Sequence, residues 1–314
     1  MAKTDLTKKL LTRFSRLAGQ RQNWETHWQE VADYMMPRKS DVTKKRTRGD
    51  KRMELIFDSS PLQALELLAA SLHGMLTNPS TPWFTLRFKQ ENIDNEDEAK
   101  LWLESATDAM YTAFNRSNFQ QEIFELYHDL ITFGTAAMFI EEDEEDFIKF
   151  STRHIDEVYI AENDKGRIDT IYRRFNLSAR AVVQKFGTAV SQDILVLEKK
   201  DPYKEVEIIH AVYPRADFNP TKKDKKNMPF ESVYMEYKNG NELSVSGFKE
   251  FPFVVPRYLK ASHEIYGRSP AMTALPDVKM LNEMVKTTIK AAQKQVDPPL
   301  LVPDDGFLLP VRTV

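Results

Sequence analysis

The chain has 314 residues, enough for a large hydrophobic core and one or two domains. Its 44 lysines and arginines are balanced by 47 aspartates and glutamates, so the formal net charge is −3 and any surface for nucleic acid has to be local. The sequence contains no cysteine, which excludes disulfides and thiolate metal sites and suits a reducing cytoplasm. No run approaches the roughly 18 apolar residues of a membrane span, and the basic N-terminus lacks the apolar segment of a secretory signal.

The first 140 residues are predicted to be mainly helical. Apolar side chains recur at three- and four-residue spacing from Leu6 to Met35, and Pro37 ends that pattern. Further helices are predicted over Glu98–Phe114, with Leu101 among the apolar positions, and over Phe119–Phe133. These helices come before any strand signal, which is typical of a chain whose helical and strand-rich parts are segregated.

Another helix is predicted to begin at Pro61. Ser60 is expected to cap it, with Gln63 three residues later as the capping-box partner. The pair Asn78-Pro79 ends it, because proline cannot continue a helix. One apolar stripe runs along this helix and consists of Leu62, Leu65, Ala69, Leu72 and Leu76.

The segment after this helix is predicted to be a half-buried strand. Phe84, Leu86 and Phe88 alternate with polar residues there, and a period of two is typical of a strand. Trp83 and Phe84 are expected in the core, since large aromatic side chains dominate buried area. The alternative for these two residues is an exposed patch that docks a partner.

From residue 137 onward the pattern changes to short strands separated by turn signals. The acidic run Glu141–Asp146 is predicted to be the charged tip of a hairpin; it lacks the spacing and the glycine of a calcium loop. Asn163–Gly166 and Asn239-Gly240 are predicted hairpin turns. Strands are predicted at 138–140, 147–150, 158–161, 168–175, 206–213, 232–237 and 243–248, and short helices at 178–186 and 190–197. The chain is therefore assigned to the α+β class, helices first and antiparallel strands after.

The last helix carries the clearest charge pattern. Pro276 is expected to interrupt a segment that opens at Ser269-Pro270, which leaves a helix of roughly 30 Å from Pro276 to Val296. On a helical wheel the lysines share one face and apolar or small residues share the other. The basic face has Lys279, Lys286, Lys290 and Lys294; the other has Leu281, Val285, Thr288, Ile289, Ala292 and Val296. Such a stripe suits passing contacts with DNA phosphates, and it equally suits the solvated face of an amphipathic helix.

A basic loop lies between the first two predicted helices. The segment Arg38–Arg52 contains eight basic and two acidic residues. Lys44, Lys45, Arg46 and Arg48 are candidate contacts with DNA or a protein partner, and a mobile, solvated loop is the alternative. The loop has no interleaved aromatic residues, so base stacking is not expected.

No catalytic or cofactor motif occurs in the sequence. Walker, G-x-S-x-G and H-E-x-x-H patterns are missing, and the six histidines are scattered. We therefore predict no enzyme activity, no metal and no cofactor. A nuclease would need clustered carboxylates for magnesium, and the one acidic cluster, Glu141–Asp146, is a continuous run with poor geometry for that purpose.

Three blocks of this sequence closely resemble the head-to-tail connector family of short-tailed bacteriophages, which are portal proteins. The blocks are RQNWETHWQEVADYMMPRKSD from Arg21, the run around LHGMLTNPSTPWFTL from Leu72, and YGRSPAMTALPDVKMLNEMVKTTIKAAQKQVDPPLLVPDDG from Tyr266. They occur in the expected order and cover about a third of the 314 residues. Family members continue past the last block, so the chain is expected to be an N-terminal portion or a shortened copy.

The resemblance implies a portal subunit of the virion, at the head-tail junction, assembled in the host cytoplasm. A dodecameric ring would conduct double-stranded DNA in packaging, retention and ejection. Its implied partners are the terminase large subunit, tail adaptors and capsid or scaffold proteins. The implied organisation is a helical part of the wing at 1–140, a strand-rich part at 141–265, the first stem helix at 266–297 with its lysines toward the channel, and the start of the clip at 298–314. A tail or adaptor protein without DNA contact is the alternative.

Overall fold

The computed structural model describes residues 5–47, 49–89, 96–145, 147–221, 224 and 227–298. Within these ranges it contains seven α-helices and two antiparallel sheets, so the predicted α+β class is confirmed. The helices are α1 (Asp5–Met35), α2 (Ser60–Leu76), α3 (Asp97–Arg116), α4 (Phe119–Phe133), α5 (Ala179–Phe186), α6 (Gln192–Lys200) and α7 (Pro270–Val296).

The strands follow α4 and form one small and one large sheet. They are β1 (Ala137–Asp143), β2 (Phe147–Arg153), β3 (Val158–Glu162), β4 (Ile168–Ser178), β5 (Glu205–Pro214), β6 (Phe230–Glu236), β7 (Glu242–Phe248) and β8 (Phe253–Val254). The small sheet has the order β2-β1-β8, and the large sheet runs β3-β4-β5-β6-β7. Gly166 and Gly240 have φ values of 70° and 64° in the two predicted hairpin turns, a conformation that favours glycine.

Helix α1 is the element that touches both halves of the molecule. Its N-terminal half buries Leu10 and Phe14 against the large sheet, where the Phe14 and Tyr159 rings meet edge to face at 4.7 Å between centroids. Its C-terminal half buries Trp28 in the main core, and the Trp28 indole donates to the carbonyl of Phe133 at the end of α4 (3.0 Å). One continuous helix therefore aligns the sheet with the helical part.

A buried arginine fixes that alignment. Arg21 is 1% exposed, and its guanidinium donates to the carbonyls of Ile155 (2.8 Å), Asp156 (2.7 Å) and Val158 (2.5 Å). The three carbonyls lie in the turn that leads into β3. One side chain of α1 therefore supplies the hydrogen-bond donors for all three of them. Glu25 balances the charge (2.8 Å).

The segment after α2 is not a strand, although its alternation predicted one. Tyr111 of α3 hydrogen-bonds to the backbone of this segment. The Trp83 and Phe84 amides donate to the Tyr111 hydroxyl (2.6 and 2.7 Å), and that hydroxyl donates to the Phe84 carbonyl (2.9 Å). Side chains of a helix thus replace a partner strand. Trp83 is 37% exposed, so the prediction that it lies in the core is wrong, whereas Phe84 is half-buried.

The N-terminus of α2 also differs from the prediction. Ser59, not Ser60, is the N-cap residue of α2, and neither capping-box bond forms because the Asp58 carboxylate accepts from the Ser60 hydroxyl (2.8 Å). In α3, Leu101, one of the apolar positions of the predicted helix, is 66% exposed, and the buried face carries Leu103 and Thr107.

Replacing Arg21 with methionine tests the importance of the buried guanidinium. Arg21→Met keeps an unbranched side chain but leaves three carbonyls without a donor, so we expect the free energy of unfolding to fall by about 3–5 kcal/mol. Urea unfolding followed by circular dichroism measures this change. The matched control is Arg16→Met, since Arg16 is exposed on the same helix and its loss should cost no more than about 0.5 kcal/mol. Equal urea midpoints for the two variants would contradict the role of Arg21.

Candidate nucleic-acid interface

Helix α7 starts at a tight crossing with the end of α4. Gly134 ends α4 with φ of 75°, and a Cβ on Gly134 would collide with the backbone of Gly267. Next to this crossing, Ser269 donates to the carbonyl of Thr132 (2.8 Å) and accepts from the amide of Met272 as the N-cap of α7 (3.0 Å). The start of α7 is therefore fixed to the core by the Ser269 hydrogen bond and by the close contact of the two glycine backbones, which leaves no room for a side chain.

Pro276 does not interrupt α7, contrary to the prediction. The helix is continuous over 27 residues, Pro270–Val296, or roughly 40 Å at the usual rise per residue. Met272 and Leu275 are buried before the proline, and Asn282 is buried after it. Packing on both sides of Pro276 offsets the cost of its missing amide donor.

The second half of α7 projects away from the rest of the chain. Every residue from Thr287 to Val296 is exposed, and Val296 reaches 87%. Large apolar side chains are also exposed just before this stretch, with Met280 at 60% and Met284 at 59%. An exposed helix end with apolar residues is typical of a surface that another molecule covers.

The four predicted channel lysines separate into two pairs. Lys279 forms an ion pair with Glu30 of α1, and Lys286 forms one with Glu283 (2.7 Å) while lying 5.8 Å from the centroid of the Phe57 ring. These two lysines are held against the body. Lys290 and Lys294 lie one turn apart on the projecting half, both exposed. The projecting half of α7 therefore presents Lys290 and Lys294 together.

A buried amide holds the chain before α2 onto α7. The Asn282 carbonyl oxygen accepts from the amides of Phe57 (2.7 Å) and Asp58 (3.3 Å), and its amide group donates to the carbonyl of Leu55 (2.8 Å). Asn282 is 7% exposed. Asn282 is a site residue that the sequence pattern does not reveal, because Gln293 and Gln295 of the same helix are also amides and both are exposed.

The first part of the basic loop is tied to α1 and is not a free, solvated segment. The Gln29 side-chain oxygen accepts from the backbone amides of Val42, Thr43 and Lys44 (3.1, 2.8 and 3.1 Å). The ammonium group of Lys44 and the guanidinium of Arg46 both contact Asp33 (2.8 and 3.4 Å). Lys44 and Arg46, two of the four candidate contacts with DNA or a partner, are thus already paired with Asp33 of the same chain.

The other two candidates have different outcomes. Lys45 is exposed, and Arg48 lies outside the described residues. The start of the loop is also anchored, because Arg38 and Lys39 form ion pairs with Glu125 of α4 (2.7 and 2.9 Å). Burial opposes the negative charge of Glu125, but the hydrogen bonds from the two bases outweigh it and lower its pKa to about 2. Glu125 therefore stays charged at any ordinary pH and keeps both bases in place.

The acidic run is the end of a hairpin, as predicted, as far as the structure describes it. Glu141, Glu142 and Asp143 close β1, Glu141 faces Lys149 across the ladder, and Asp146 is outside the described residues. In the described part of the chain no three histidines, aspartates or glutamates are arranged to hold a metal ion. None of the described helices is long and apolar enough to cross a membrane. The lysine-rich stretch of sequence at 222–226 falls largely outside the described residues, as do 299–314 of the predicted clip.

Comparison with known proteins agrees with the resemblance drawn from the three sequence blocks. The family model for the bacteriophage head to tail connecting protein matches residues 7–313. The chain is 34% identical to a probable portal protein of Bordetella phage BPP-1, over all of this chain and 58% of that protein. It is 33% identical to a portal protein of Salmonella phage epsilon15, over 96% of this chain and 55% of that protein. The chain thus spans a little over half the length of these relatives.

Replacing Asn282 with leucine tests the link between α7 and the chain before α2. Asn282→Leu leaves the amides of Phe57 and Asp58 and the carbonyl of Leu55 unpaired, at a cost of about 1–3 kcal/mol. We expect faster hydrogen exchange across residues 55–58, measured by mass spectrometry. The control Gln293→Leu makes a similar amide-to-leucine change on the exposed half of α7 and should leave that exchange unaltered. Unchanged exchange at 55–58 in Asn282→Leu would contradict the link.

Proposed function

Because the chain belongs to the bacteriophage head-to-tail connecting protein family, we propose that it is a portal subunit that conducts double-stranded DNA. Copies of it form a closed ring, a dodecamer by the family resemblance, at one vertex of the capsid and at the head-tail junction of the virion. A closed ring requires two different, complementary faces on each subunit. The observation that carries the DNA role is the projecting half of α7, which is anchored at one end and presents Lys290 and Lys294 at the other.

In the ring, the projecting halves of α7 line the channel. Lysine is a flexible point charge, so it contacts passing phosphates without reading sequence and lets DNA slide. Lys279 and Lys286 have a different role in this proposal, since Lys279 pairs with Glu30 of α1 and Lys286 lies over the Phe57 ring. They stabilise the base of α7 and stay out of the channel.

The proposal gives the ring a passive part in genome packaging. The terminase large subunit docks on it and supplies the energy, and tail adaptors and capsid or scaffold proteins bind its other surfaces. Residues 1–265 form the wing, 266–297 the first stem helix, and the clip starts at 298. Lys45 and the exposed part of the basic loop face one of these partners or DNA. Assembly takes place in the cytoplasm of the host.

Charge reversal on α7 distinguishes a DNA conduit from a tail or adaptor protein without DNA contact. We expect Lys290→Glu combined with Lys294→Glu to weaken binding of duplex DNA by the assembled protein. The plot of log affinity against log salt should become shallower, by about 0.9 for each phosphate that the protein no longer neutralises. In phage complemented with the variant, fewer heads should hold DNA.

The control for this experiment is a second exposed lysine pair. Lys199→Glu with Lys200→Glu makes the same charge change at the end of α6, away from α7, and should leave both readouts as in the wild type. Normal DNA binding and packaging in the Lys290/Lys294 variant would contradict the conduit and favour the tail or adaptor alternative.

A further inference from the structure

A cavity lies between the N-terminal half of α1 and the large sheet. Its volume is about 460 Å³, and we call it the α1–sheet pocket. One side consists of α1 residues, with Arg13 and Arg16 among them, and the other consists of residues from β3, β4 and β5, with Tyr172 and Tyr213 among them. Among the described residues that line it there is no aspartate or glutamate, so the charged groups of the pocket are all positive.

The two arginines of the pocket are available to another molecule. Arg13 and Arg16 are three residues apart on α1, so their side chains occupy neighbouring positions on one face of the helix. Both are exposed, and neither has a carboxylate partner in the part of the chain that the structure describes. Like charges at neighbouring helix positions repel each other, and an anion bound between them removes that repulsion.

Two tyrosines of the sheet fix the position of Arg13. Its guanidinium lies 5.9 Å from the centroid of the Tyr213 ring and next to the Tyr172 hydroxyl. Burial raises the pKa of Tyr172, and Arg13 opposes that rise without reversing it, so the phenol keeps its proton. Tyr172 is 1% exposed, and its hydroxyl has no acceptor for that proton among the described residues. The guanidinium and the phenol are therefore adjacent donors that lack an acceptor.

Two acids lie next to residues that line the pocket, and both are already engaged. Glu231 is opposite Tyr213 in the ladder between β5 and β6, and it pairs with Arg215 (3.2 Å). Asp169 accepts from the hydroxyl of Thr170 (2.9 Å). The acceptor that Arg13 and its neighbours lack therefore has to come from a bound molecule.

The donors of the pocket fit a phosphate group better than a carboxylate. Each guanidinium presents five N–H donors in a planar fork, so the two arginines offer about ten. A phosphate ester has three strongly accepting oxygens and a charge of about −1.5 to −2, whereas a carboxylate has two oxygens and a single charge. The cavity is also within the range of small-molecule sites, about 300–1,000 Å³, and has room for more than a phosphate. Leu17, Ala161 and Pro214 provide an apolar wall for the organic part of an ester.

We propose that the α1–sheet pocket binds a phosphate group through Arg13 and Arg16, with Tyr172 holding Arg13 in place. The phosphate belongs to a small phosphate ester or to the backbone of DNA, which present the same chemistry to a guanidinium. The inference goes beyond the proposed function and does not rest on it, because the proposed channel residues Lys290 and Lys294 are on α7 and the pocket is on α1 and the large sheet.

Binding of radiolabelled orthophosphate to the full chain, measured by equilibrium dialysis at constant ionic strength, tests the site. We expect saturable binding. Arg13→Gln combined with Arg16→Gln should weaken it by about tenfold or more, because both charge-assisted contacts are lost. Both side chains are exposed, so this variant should keep the circular dichroism of the wild type.

The matched control is Lys8→Gln combined with Lys9→Gln. It removes the same charge from exposed positions of the same helix that do not line the pocket. Because salt screens charges outside the site, the affinity should change by less than about twofold. Equal weakening in the two double variants would overturn the site, since it would show attraction to basic charge in general. Absence of saturable binding to the wild type would overturn it as well.

Competition identifies the ligand. Acetate should not displace orthophosphate, and displacement by acetate as effective as by unlabelled phosphate would overturn the choice of phosphate over carboxylate. Displacement by a short DNA duplex assigns the site to the DNA backbone, and displacement by thymidine monophosphate without the duplex assigns it to a small phosphate ester. If neither displaces orthophosphate, the pocket holds an adventitious ion only and the proposal is overturned. None of these failures affects Lys290 and Lys294, so the proposed function would still stand.

Discussion

The guanidinium of Arg21 is the interaction on which the rest of the structure depends. It lies inside the molecule over the Tyr159 ring, 3.7 Å from its centroid, and binds three carbonyls of the turn that leads into β3. A buried charge is tolerated only when its donors are satisfied, so this turn has one position relative to α1. The large sheet, the basic loop and α7 all contact α1, so this helix fixes their positions relative to one another.

Anchoring of its first half explains how α7 can project into solvent and still hold a defined direction. The close backbone crossing of Gly134 and Gly267, the Ser269 cap and the Asn282 clamp all act on the first half of α7. The second half, from Thr287 to Val296, is exposed along its whole length and is therefore accessible to DNA and to other subunits in the proposed ring. Rigidity at the base and exposure at the tip are both required of a channel-lining helix.

Much of the fold could be predicted from spacing alone, and the resemblance from three blocks identified the family correctly. The errors have physical causes that a single sequence does not reveal. The alternation around Phe84 matches a strand, yet Tyr111, distant in sequence, takes the backbone groups. Pro276 is a helix breaker by itself, but core packing on both sides maintains the helix. The four lysines share one face, and the sequence alone does not show that Lys279 pairs with Glu30 of α1.

The central claim is that copies of this chain form a ring whose inner wall includes the projecting half of α7. The most direct measurement is light scattering of the purified protein combined with cryo-electron microscopy of the particles. The account predicts the mass of a closed oligomer with a central hole, with Lys290 and Lys294 directed toward that hole. A stable oligomer that is not a ring, or a ring with these two lysines on its outer surface, would contradict it.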